Sequence, residues 1–353
     1  MRTKTFILLL TCFVITSSIL ILFSNQRPTI QNIVSETHKQ LNNLKTLKEN
    51  LQDVLQEQLT ADPEVLELLG FVKHPRIYPN DSWTNITLPP IVTAASSGEG
   101  IKALGFVKNV HHFVPGYHIL LYDLGLGRSE SETLLEVCNG TRKSSHCSIV
   151  KFPYKQFPSH VKTLKFHTFR PLIIQQVLND VGAILWMDVD YRLVTDHLEP
   201  FVKIAKKVGL VAWGNLLPTS AVTHPNMFHF FQTSQELFFF HHLVETSVLV
   251  LFNIQLIHSQ LMLPWVQCAL TPACIAPIGA QSYGCRFDKK PQFRYSGCHW
   301  YDASAFNIIL GVVFGFDSSS YMGQKTFFRK LGEDWEYYDS FNETSGGYLH
   351  YEV

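Results

Sequence analysis

The chain has 353 residues, of which 46% are hydrophobic and 16% are charged, and 29 basic residues balance 29 acidic ones. This length allows one large domain or two ordinary domains, and the composition is that of a globular protein. The sequence contains no basic run, which argues against nucleic acid as the main partner, because phosphate binding needs concentrated Lys and Arg.

The N-terminal segment predicts a membrane anchor. Residues 6–23 carry no charge and are mostly apolar, and this is about the shortest stretch that can span a bilayer as a helix. Arg2 and Lys4 precede it, so the positive-inside rule keeps a tail of residues 1–5 in the cytosol and places the rest of the chain in the secretory lumen. A cleaved signal peptide is the alternative, although its apolar core would usually be shorter and end at a small-residue cleavage site.

Asparagine and cysteine residues also indicate a luminal location. Four Asn-x-Ser/Thr sequons, which are glycosylation acceptors, follow the predicted anchor at Asn80, Asn85, Asn139 and Asn342. Six cysteines follow it as well, and an oxidising lumen favours disulfides over zinc sites. They are Cys138, Cys147, Cys268, Cys274, Cys285 and Cys298. We predict a local pair between Cys138 and Cys147, and pairing of the later four among themselves in an order that the sequence leaves open.

A polar stem of residues 24–87 follows the anchor and contains one helical stripe. Leu44, Leu47, Leu51 and Val54 repeat with the three-four spacing of a coiled coil. This helix could form a homodimer through the stem, or it could pack as an amphipathic helix on its own folded domain. The run is too short to decide between the two.

Residues 88–353 form the predicted folded domain, in which strands and helices alternate. Strands are predicted at residues 91–95, 118–123 and 147–152, and helices at residues 101–112, 129–138 and 170–178. This alternation predicts an α/β fold with a mostly parallel sheet flanked by helices. Ligands of such sheets bind at the carboxyl ends of the strands, here near residues 94–98, 123–127 and 188–190.

The second half of the domain is less regular. A helix is predicted at residues 198–207, a strand at 210–213, a strand that enters a helix at 245–252, and a helix at 302–310. Asp302 stands at or near the start of this last helix, where an Asp side chain often caps the backbone N–H groups.

An apolar run at residues 182–187 ends in Asp188-Val189-Asp190 and carries the clearest chemical signal. An unpaired carboxylate inside a buried strand is costly, so we predict both carboxylates at the strand's carboxyl end, pointing to the same side. Two hard oxygen ligands suit Mg²⁺ or Mn²⁺, above all beside diphosphate oxygens. Taken alone, an Asp-x-Asp is more often a polar strand end that enters a turn.

Several segments resemble a known family. They are RPLIIQ at residues 170–175, WMD at 186–188, WVQCAL at 265–270, CIAP at 274–277 and CHWYDASAFN at 298–307. These strings look like a nematode-rich, largely uncharacterised family of nucleotide-diphospho-sugar transferases. The order of anchor, stem and luminal domain also resembles the GT-A glycosyltransferases, which are type II, single-pass proteins of the Golgi or ER membrane. The resemblance covers roughly residues 88–310 and implies a GT-A-like fold with a luminal catalytic domain.

This resemblance implies roles for individual residues. In GT-A enzymes the last Asp of Asp-x-Asp binds the metal and the first contacts the donor, which implies Asp190 and Asp188 here. A third metal ligand, often His, comes from the C-terminal region, where His350 and His299 are available. The implied cofactor is a divalent cation, Mn²⁺ or Mg²⁺, held by Asp188, Asp190 and His350. The pattern Asp302…Asn307 is similar to a GT-A segment whose Asp lies near the transferred sugar.

Glycosyl transfer would need further groups. An acceptor hydroxyl must be oriented and, in an inverting enzyme, deprotonated by a carboxylate, for which Asp302 is the first candidate and Glu245 the second. The donor's base, ribose and phosphates must also be held near the first strands. The candidates for donor binding are Thr93, Ala94, Asp123, Arg170 and Asp188.

The sequence therefore favours a glycosyltransferase that moves a sugar from a nucleotide-sugar donor to a glycan, protein or lipid acceptor. The alternative is a catalytically inactive GT-A-like protein that serves as a luminal carbohydrate-binding or scaffold protein. A weaker third hypothesis is a secreted, disulfide-bonded interaction domain, which requires cleavage of the anchor.

Overall fold

A computed structural model describes residues 16–18, 59, 61–73, 75–79, 88–139, 147–323 and 327–332. The chain divides into two compact units, Met1–Glu57 and Gln58–Val353. In the first unit, the described residues 16–18 are helical. Within the described ranges, no helix is both long and apolar enough to cross a membrane.

Several predicted features lie outside the described residues. These are most of the anchor, the leucine stripe of the stem, the sequons at Asn80, Asn85 and Asn342, and His350. The sequon residue Asn139 is described and is exposed.

In the second unit, the described residues form a six-stranded sheet in the order β3-β2-β1-β4-β7-β6. Its strands are β1 (Ile91–Ala95), β2 (Ile119–Asp123), β3 (Cys147–Lys151), β4 (Ala183–Met187), β6 (Leu210–Pro218) and β7 (His242–Phe252). The pairings of β1 with β2, β2 with β3 and β1 with β4 are parallel, whereas β7 runs antiparallel to both β4 and β6. A short second sheet pairs β5 (Tyr191–Leu193) with β8 (Phe328–Lys330).

Helices accompany the strands along the chain. They are α1 (Pro63–Leu68), α2 (Gly100–Phe113), α3 (Arg128–Asn139), α4 (Phe169–Val181), α5 (Glu199–Val208), α6 (Pro225–Phe230), α7 (Leu263–Leu270), α8 (Pro272–Ile275) and α9 (Tyr301–Val313). A π-helical turn, Ile257–Met262, leads into α7. The α/β class and the mostly parallel sheet flanked by helices are therefore confirmed.

The sheet separates two layers of hydrophobic core. All five residues of β1 are buried, and they alternate between the layers. Ile91 packs in one cluster with Phe106 of α2, whereas Val92 packs in the other with Ile173 of α4. A strand that is covered on both faces must be apolar throughout, which explains the continuous apolar runs in the sequence.

Helix α1 belongs to the packed part of the second unit. Its N-cap Asp62 accepts a hydrogen bond from the Glu64 backbone N–H at 2.9 Å, and Pro63 fills the first helical position. Leu69, just after the helix, is 1% exposed and its carbonyl accepts a hydrogen bond from Gln175 at 2.8 Å. A hydrogen bond therefore links the segment before β1 to helix α4.

Three disulfides form among the cysteines that the structure describes. Cys138–Cys147 confirms the predicted local pair, and the later four cysteines pair as Cys268–Cys274 and Cys285–Cys298.

One local prediction is confirmed and another was wrong. Residues 245–252 belong to a strand that leads into a helix, because β7 runs from His242 to Phe252 and helical residues follow from Gln255 into the π-helical turn and α7. Asp302 does not cap α9, because the N-cap is Trp300 and the Asp302 carboxylate is directed to Arg170 instead.

Candidate active site

A cleft of ≈ 480 Å³ opens at the carboxyl ends of β1 and β4. Its walls come from the ends of these strands, the start of α4, strand β7 and the start of α9. Carboxylates in the lining are Glu99, Asp188, Asp190, Glu245 and Asp302, and cations are Lys102, Lys165, Arg170 and Lys330. The predicted strand-end location of the site is where this cleft lies.

Arg170 is the central cation of the cleft. Its Nη2 donates hydrogen bonds to both carboxylate oxygens of Asp188, at 3.0 and 2.7 Å. Its Nη1 donates to the Asp302 carboxylate and, at 3.1 Å, to the Thr246 hydroxyl. One guanidinium therefore ties together the end of β4, the start of α9 and strand β7.

The surrounding elements fix this geometry. Arg170 and Pro171 lie in the first turn of α4, which packs against β4, so the guanidinium reaches the strand's carboxyl end. Trp186, buried in β4, donates its indole N–H to Asp188 at 2.9 Å, and its ring lies 5.8 Å from the guanidinium carbon of Arg170. Packing and hydrogen bonding thus hold the Asp188 side chain in one orientation.

Burial governs the ionisation of this cluster. The side chains of Arg170 and Asp302 are 4% and 2% exposed, whereas Asp188 is 21% exposed. Burial alone lowers the pKa of Arg170, but attraction to Asp188 and Asp302 outweighs it, so the pKa is raised and the guanidinium stays charged. Burial raises the pKa of Asp302, and the attraction of Arg170 opposes this only in part, because that cation is shared with Asp188.

Asp190 lies on a turn that follows Asp188, and not on the strand. Strand β4 ends at Met187, and the Tyr191 backbone N–H closes the turn on the Asp188 carbonyl at 3.0 Å. Side-chain alternation along a strand therefore does not apply to the two aspartates, although both line the cleft. Buried Arg192 holds this turn through hydrogen bonds to the carbonyls of Val189 and Tyr191, both at 2.9 Å.

The negative charge near Asp190 is only partly compensated. Burial raises the pKa of Asp190, the neighbouring Asp188 raises it further, and Lys330 at 3.5 Å opposes both. A divalent cation would relieve this repulsion, so the two carboxylates fit part of a metal site. In the described ranges, no group of three His, Cys, Asp or Glu side chains could hold a metal ion.

Glu245 faces the cleft from β7. Its carboxylate accepts long hydrogen bonds from the Tyr191 hydroxyl and the Asn215 amide, each at 3.4 Å. The pairing of β6 with β7 shifts register between Ala212 and Trp213 and again after Gly214, so the strand is irregular beside Glu245. Irregular pairing of this kind is often found where a sheet directs a side chain into a site.

The predicted donor-binding residues divide into two groups. Ala94, Arg170 and Asp188 line the cleft. Thr93 is fully buried on the opposite face of β1, and Asp123 closes the turn after β2 by accepting from Gly125 and Leu126, each at 2.7 Å. Neither Thr93 nor Asp123 belongs to the cleft lining.

The sequence predicted a ligand site near residues 94–98, but it did not predict the contacts that hold the loop after β1. Its Ser96 donates its backbone N–H and hydroxyl to Glu99 at 2.8 and 2.7 Å. Glu130 of α3 accepts from the backbone of Gly98, Gly100 and Gly127, at 3.1, 3.0 and 2.7 Å. The small, polar composition of residues 96–100 was the available signal, since such loops place backbone N–H groups near ligands.

Two histidines also lie near the cleft. His167 lines it, and its pKa is lowered first by burial and then by Arg170, so it is neutral near pH 7. His299, an alternative third metal ligand to His350, is fully buried and interacts with the His224 N–H at 3.1 Å and the Ile275 carbonyl at 3.0 Å. Burial lowers its pKa to about 3. His299 is therefore committed to the core.

No protein-family model matches the chain, and no curated protein matches it. Solved glycosyltransferase structures do match. Core-mannan synthase A from Aspergillus fumigatus, in a Mn/GDP form, is 10% identical with a TM-score of 0.44, covering 78% of this chain and 82% of that one. WbbM, a bifunctional glycosyltransferase in its apo form, is 11% identical with a TM-score of 0.41, covering 66% of this chain and 38% of that one.

Mouse xyloside xylosyltransferase 1, in its apo form, is 10% identical with a TM-score of 0.37, covering 67% of this chain and 84% of that one. The chain spans less than two thirds of some matched proteins, with 38% of WbbM and 58% of the galactosyltransferase LgtC covered. Each of these TM-scores is below 0.5, so the ligands of those proteins are properties of those proteins alone.

Proposed function

We propose that this protein is a glycosyltransferase that transfers a sugar from a nucleotide-sugar donor to a glycan, protein or lipid acceptor. The observation that carries the proposal is the cluster of Arg170, Asp188 and Asp302. It joins three of the motif segments, at residues 170–175, 186–188 and 298–307, and it lies in a cleft at the strand ends, where α/β sheets bind ligands. The sequence resemblance described above supports the same reaction class.

Cations of the cleft would stabilise the leaving diphosphate. Lys102, Lys165 and Lys330 line it together with Arg170, and positive charge held in place before the reaction lowers the cost of charge that develops on the leaving group. Ser96 and Ala94, at the end of β1, would lie beside the donor. Of Arg170, Asp188 and Asp302, Asp188 has the most exposed side chain. Its carboxylate would therefore orient the hydroxyls of the donor.

A divalent cation, Mn²⁺ or Mg²⁺, would be held by Asp188 and Asp190, with His350 as the proposed third ligand. It would supply further neutralisation of the diphosphate charge. Asp190 is the better ligand of the pair, because Asp188 already accepts hydrogen bonds from Arg170 and Trp186.

Two carboxylates are candidates to orient the acceptor hydroxyl and to take its proton. Asp302 is held by Arg170 and is 2% exposed on its side chain, so it acts better as a positioning group. Glu245 is half-buried and also lines the cleft. We therefore place Glu245 before Asp302 as the acceptor base.

We further propose that the protein is a single-pass type II membrane protein of the Golgi or ER, anchored by residues 6–23 with its catalytic domain in the lumen. The uncharged N-terminal segment and the four downstream sequons support this location. A stem-mediated homodimer is consistent with the leucine stripe at residues 44–54.

Calorimetric titration tests the proposed function. The full-length chain in neutral detergent would be titrated with UDP and GDP, each with and without Mn²⁺, as wild type and as Asp190→Ala. We expect one nucleotide to bind, with an affinity that Mn²⁺ raises in the wild type but not in Asp190→Ala. Asp196→Ala is the matched control, because its carboxylate is 66% exposed and lies outside the cleft lining.

The outcomes separate the candidate functions. Binding that Mn²⁺ enhances only when Asp190 is present supports a metal-assisted transferase. Binding that ignores Mn²⁺ supports transfer by side-chain cations alone. If neither nucleotide binds under any condition, the transferase proposal fails, and the inactive carbohydrate-binding or scaffold protein becomes the better explanation.

A further inference from the structure

The loop between α8 and α9 concentrates positive charge. The disulfide between Cys285 and Cys298 closes part of this loop. This closed part contains one acidic residue, Asp288, and four basic residues, Arg286, Lys289, Lys290 and Arg294. The chain as a whole has equal numbers of basic and acidic residues, 29 of each. The imbalance is therefore a property of this loop and not of the overall composition.

These cations are presented to solvent. Arg286, Lys289, Lys290 and Arg294 are all exposed. Asp288 lies 3.6 Å from Arg286, and both side chains are well exposed, at 73% and 63%, so this pair is weak. The loop thus keeps a net positive charge that a ligand can meet.

The fold holds this loop in place. Besides the disulfide, the Arg286 backbone N–H donates to the Ser296 carbonyl, and the Ser296 N–H donates to the Ala221 carbonyl, both at 2.9 Å. Phe293 stacks on Phe239 with ring centroids 4.3 Å apart, and its carbonyl accepts from the Ser220 hydroxyl at 2.8 Å. The cations are therefore attached to a fixed backbone, which lowers the entropy cost of binding.

This loop also borders the cleft. Ser282, just before the disulfide-closed part of the loop, and Trp300, just after it, both line the cleft. Between them, Tyr283 is 73% exposed and Phe287 is 37% exposed. Exposed aromatic rings next to a sugar-transfer site can stack on sugar rings. We define residues 281–297 as the basic rim.

We propose that the basic rim binds an anionic glycan acceptor, one that carries carboxylate or sulfate groups, and directs its hydroxyl into the cleft. This inference rests on the proposed function. Arg and Lys recognise such groups through charge-assisted hydrogen bonds, and the aromatic rings favour a glycan over an acidic peptide. In the reaction, the acceptor oxygen bonds to the sugar's anomeric carbon, the bond to the diphosphate breaks with its electron pair, and the hydroxyl proton passes to the base.

The test compares an anionic and a neutral oligosaccharide of the same length. Calorimetry on the full-length chain in neutral detergent would use a heparin hexasaccharide and maltohexaose. We expect the anionic ligand to bind at least about tenfold more tightly, with an advantage that shrinks as salt screens the charges. The triple variant Lys289→Gln, Lys290→Gln, Arg294→Gln should lose roughly tenfold in affinity, since each exposed contact contributes modestly.

The matched control removes three exposed charges elsewhere, as Lys73→Gln, Arg128→Gln, Lys203→Gln, whose side chains are 68%, 92% and 73% exposed. It should bind the heparin hexasaccharide within about twofold of the wild type, because it changes net charge without changing the rim. A charge-preserving variant, Lys289→Arg, Lys290→Arg, should keep the affinity. This variant also tests the rim if the triple variant fails to fold.

Titration with UDP and GDP separates the two proposals. Nucleotide binding without preference for the heparin hexasaccharide overturns the basic rim and leaves the proposed function intact. If the protein prefers the heparin hexasaccharide but binds neither nucleotide, the proposal for the basic rim is supported and the proposed transferase function fails. If hexaglutamate binds as tightly as the heparin hexasaccharide, the surface recognises acidic peptides and the glycan assignment is overturned. If the control variant loses as much affinity as the triple rim variant, the glycan assignment is also overturned.

Discussion

Arg170 is the residue on which the geometry of the cleft most depends. It is a buried cation shared between two carboxylates, and each of them belongs to a different segment of the chain. Removing one partner of a buried ion pair leaves the other charge without compensation, and this costs far more than the pair contributes. The stability of the site and its charge are therefore linked through this side chain.

We predict that Arg170→Met lowers the free energy of unfolding by about 3–5 kcal/mol at pH 7.5. Asp302 would then be a buried carboxylate without its cation. Its pKa is already raised by burial, and loss of Arg170 would raise it further. Because the folded form then binds a proton more tightly than the unfolded form, the deficit should shrink as the pH falls from 7.5 toward 5.

Urea denaturation at the two pH values measures this effect. Arg128→Met is the control, because Arg128 is 92% exposed and forms a surface pair with Glu132. Such a pair contributes about 0–1 kcal/mol. A deficit for Arg170→Met that is as small as that of the control, or one that grows at pH 5, would contradict the assigned role of Asp302.

At the scale of elements, helix α9 fixes the irregular part of β7. Asn307 is fully buried, and its side-chain carbonyl accepts the Val244 N–H at 2.6 Å while its amide donates to the Val244 carbonyl at 2.8 Å. Val244 precedes Glu245, so this pair of hydrogen bonds holds the backbone of β7 directly beside Glu245. An amide can do this because it carries a donor and an acceptor together.

We predict that Asn307→Ala destabilises the fold by about 2–3 kcal/mol, because it leaves buried backbone groups of Val244 without partners. Asn226→Ala, at an exposed position of α6, should change stability by less than about 0.5 kcal/mol. Urea denaturation measures both variants. Equal stability of the two variants would show that the strand irregularity is held by other contacts.

A second element, α3, holds the loop after β1 through Glu130. Backbone N–H groups of Gly127, Gly100 and Gly98 lower the pKa of this carboxylate. We predict that Glu130→Ala speeds hydrogen exchange of these amides by roughly 3- to 10-fold at neutral pH, the loss of about one net hydrogen bond. Because the carboxylate's pKa is lowered, the stabilisation is lost as the pH falls below the ordinary range of Glu, near pH 4.

Hydrogen exchange measured by NMR compares Glu130→Ala with wild type at each pH. Glu136→Ala, an exposed residue of the same helix, is the control and should leave these amides unchanged. A difference between Glu130→Ala and wild type that stays the same size as the pH falls, at every acidic pH where the protein is folded, would contradict the role of the ionised carboxylate.

The regular elements could be predicted because their signals are local. Strand β1 was predicted at its observed bounds, 91–95, since five consecutive buried residues give a continuous apolar run. A strand at residues 245–252 was also predicted, but its start at His242 and its place between β4 and β6 depend on pairing with those strands. Long-range pairing leaves no trace in a single sequence.

The same limit applies to the site. Asp188, Arg170 and Asp302 were each proposed separately, but the ion pairs that join them span 18 and 132 residues of sequence. Lys330 was not predicted, because it reaches Asp190 from β8 through a pairing with β5 that no sequence pattern announces. Residue types and strand ends predicted the place of the cleft, whereas its connections depend on tertiary packing.

At the scale of the whole molecule, the chain has balanced charges, and the fold distributes them unevenly between the cleft and the basic rim. Carboxylates and cations meet inside the cleft, while the basic rim carries its cations on the outside. Both features would meet their ligands in the secretory lumen if the N-terminal segment is an anchor. The supply of donor and acceptor therefore depends on the cellular location of the protein.

We predict that the full-length chain, expressed in cultured eukaryotic cells, stays in the membrane pellet after alkaline carbonate extraction. An uncleaved helix of residues 6–23 would cause this, because its apolar surface is stable only in the bilayer.

We also expect a mobility shift on endoglycosidase treatment, part of which Asn139→Gln removes, since Asn139 is exposed at the end of α3. Asn226→Gln, exposed but outside any sequon, should not alter the shift. Release of a shortened, glycosylated chain into the medium would show that the N-terminal segment is a cleaved signal peptide and would favour the secreted interaction domain.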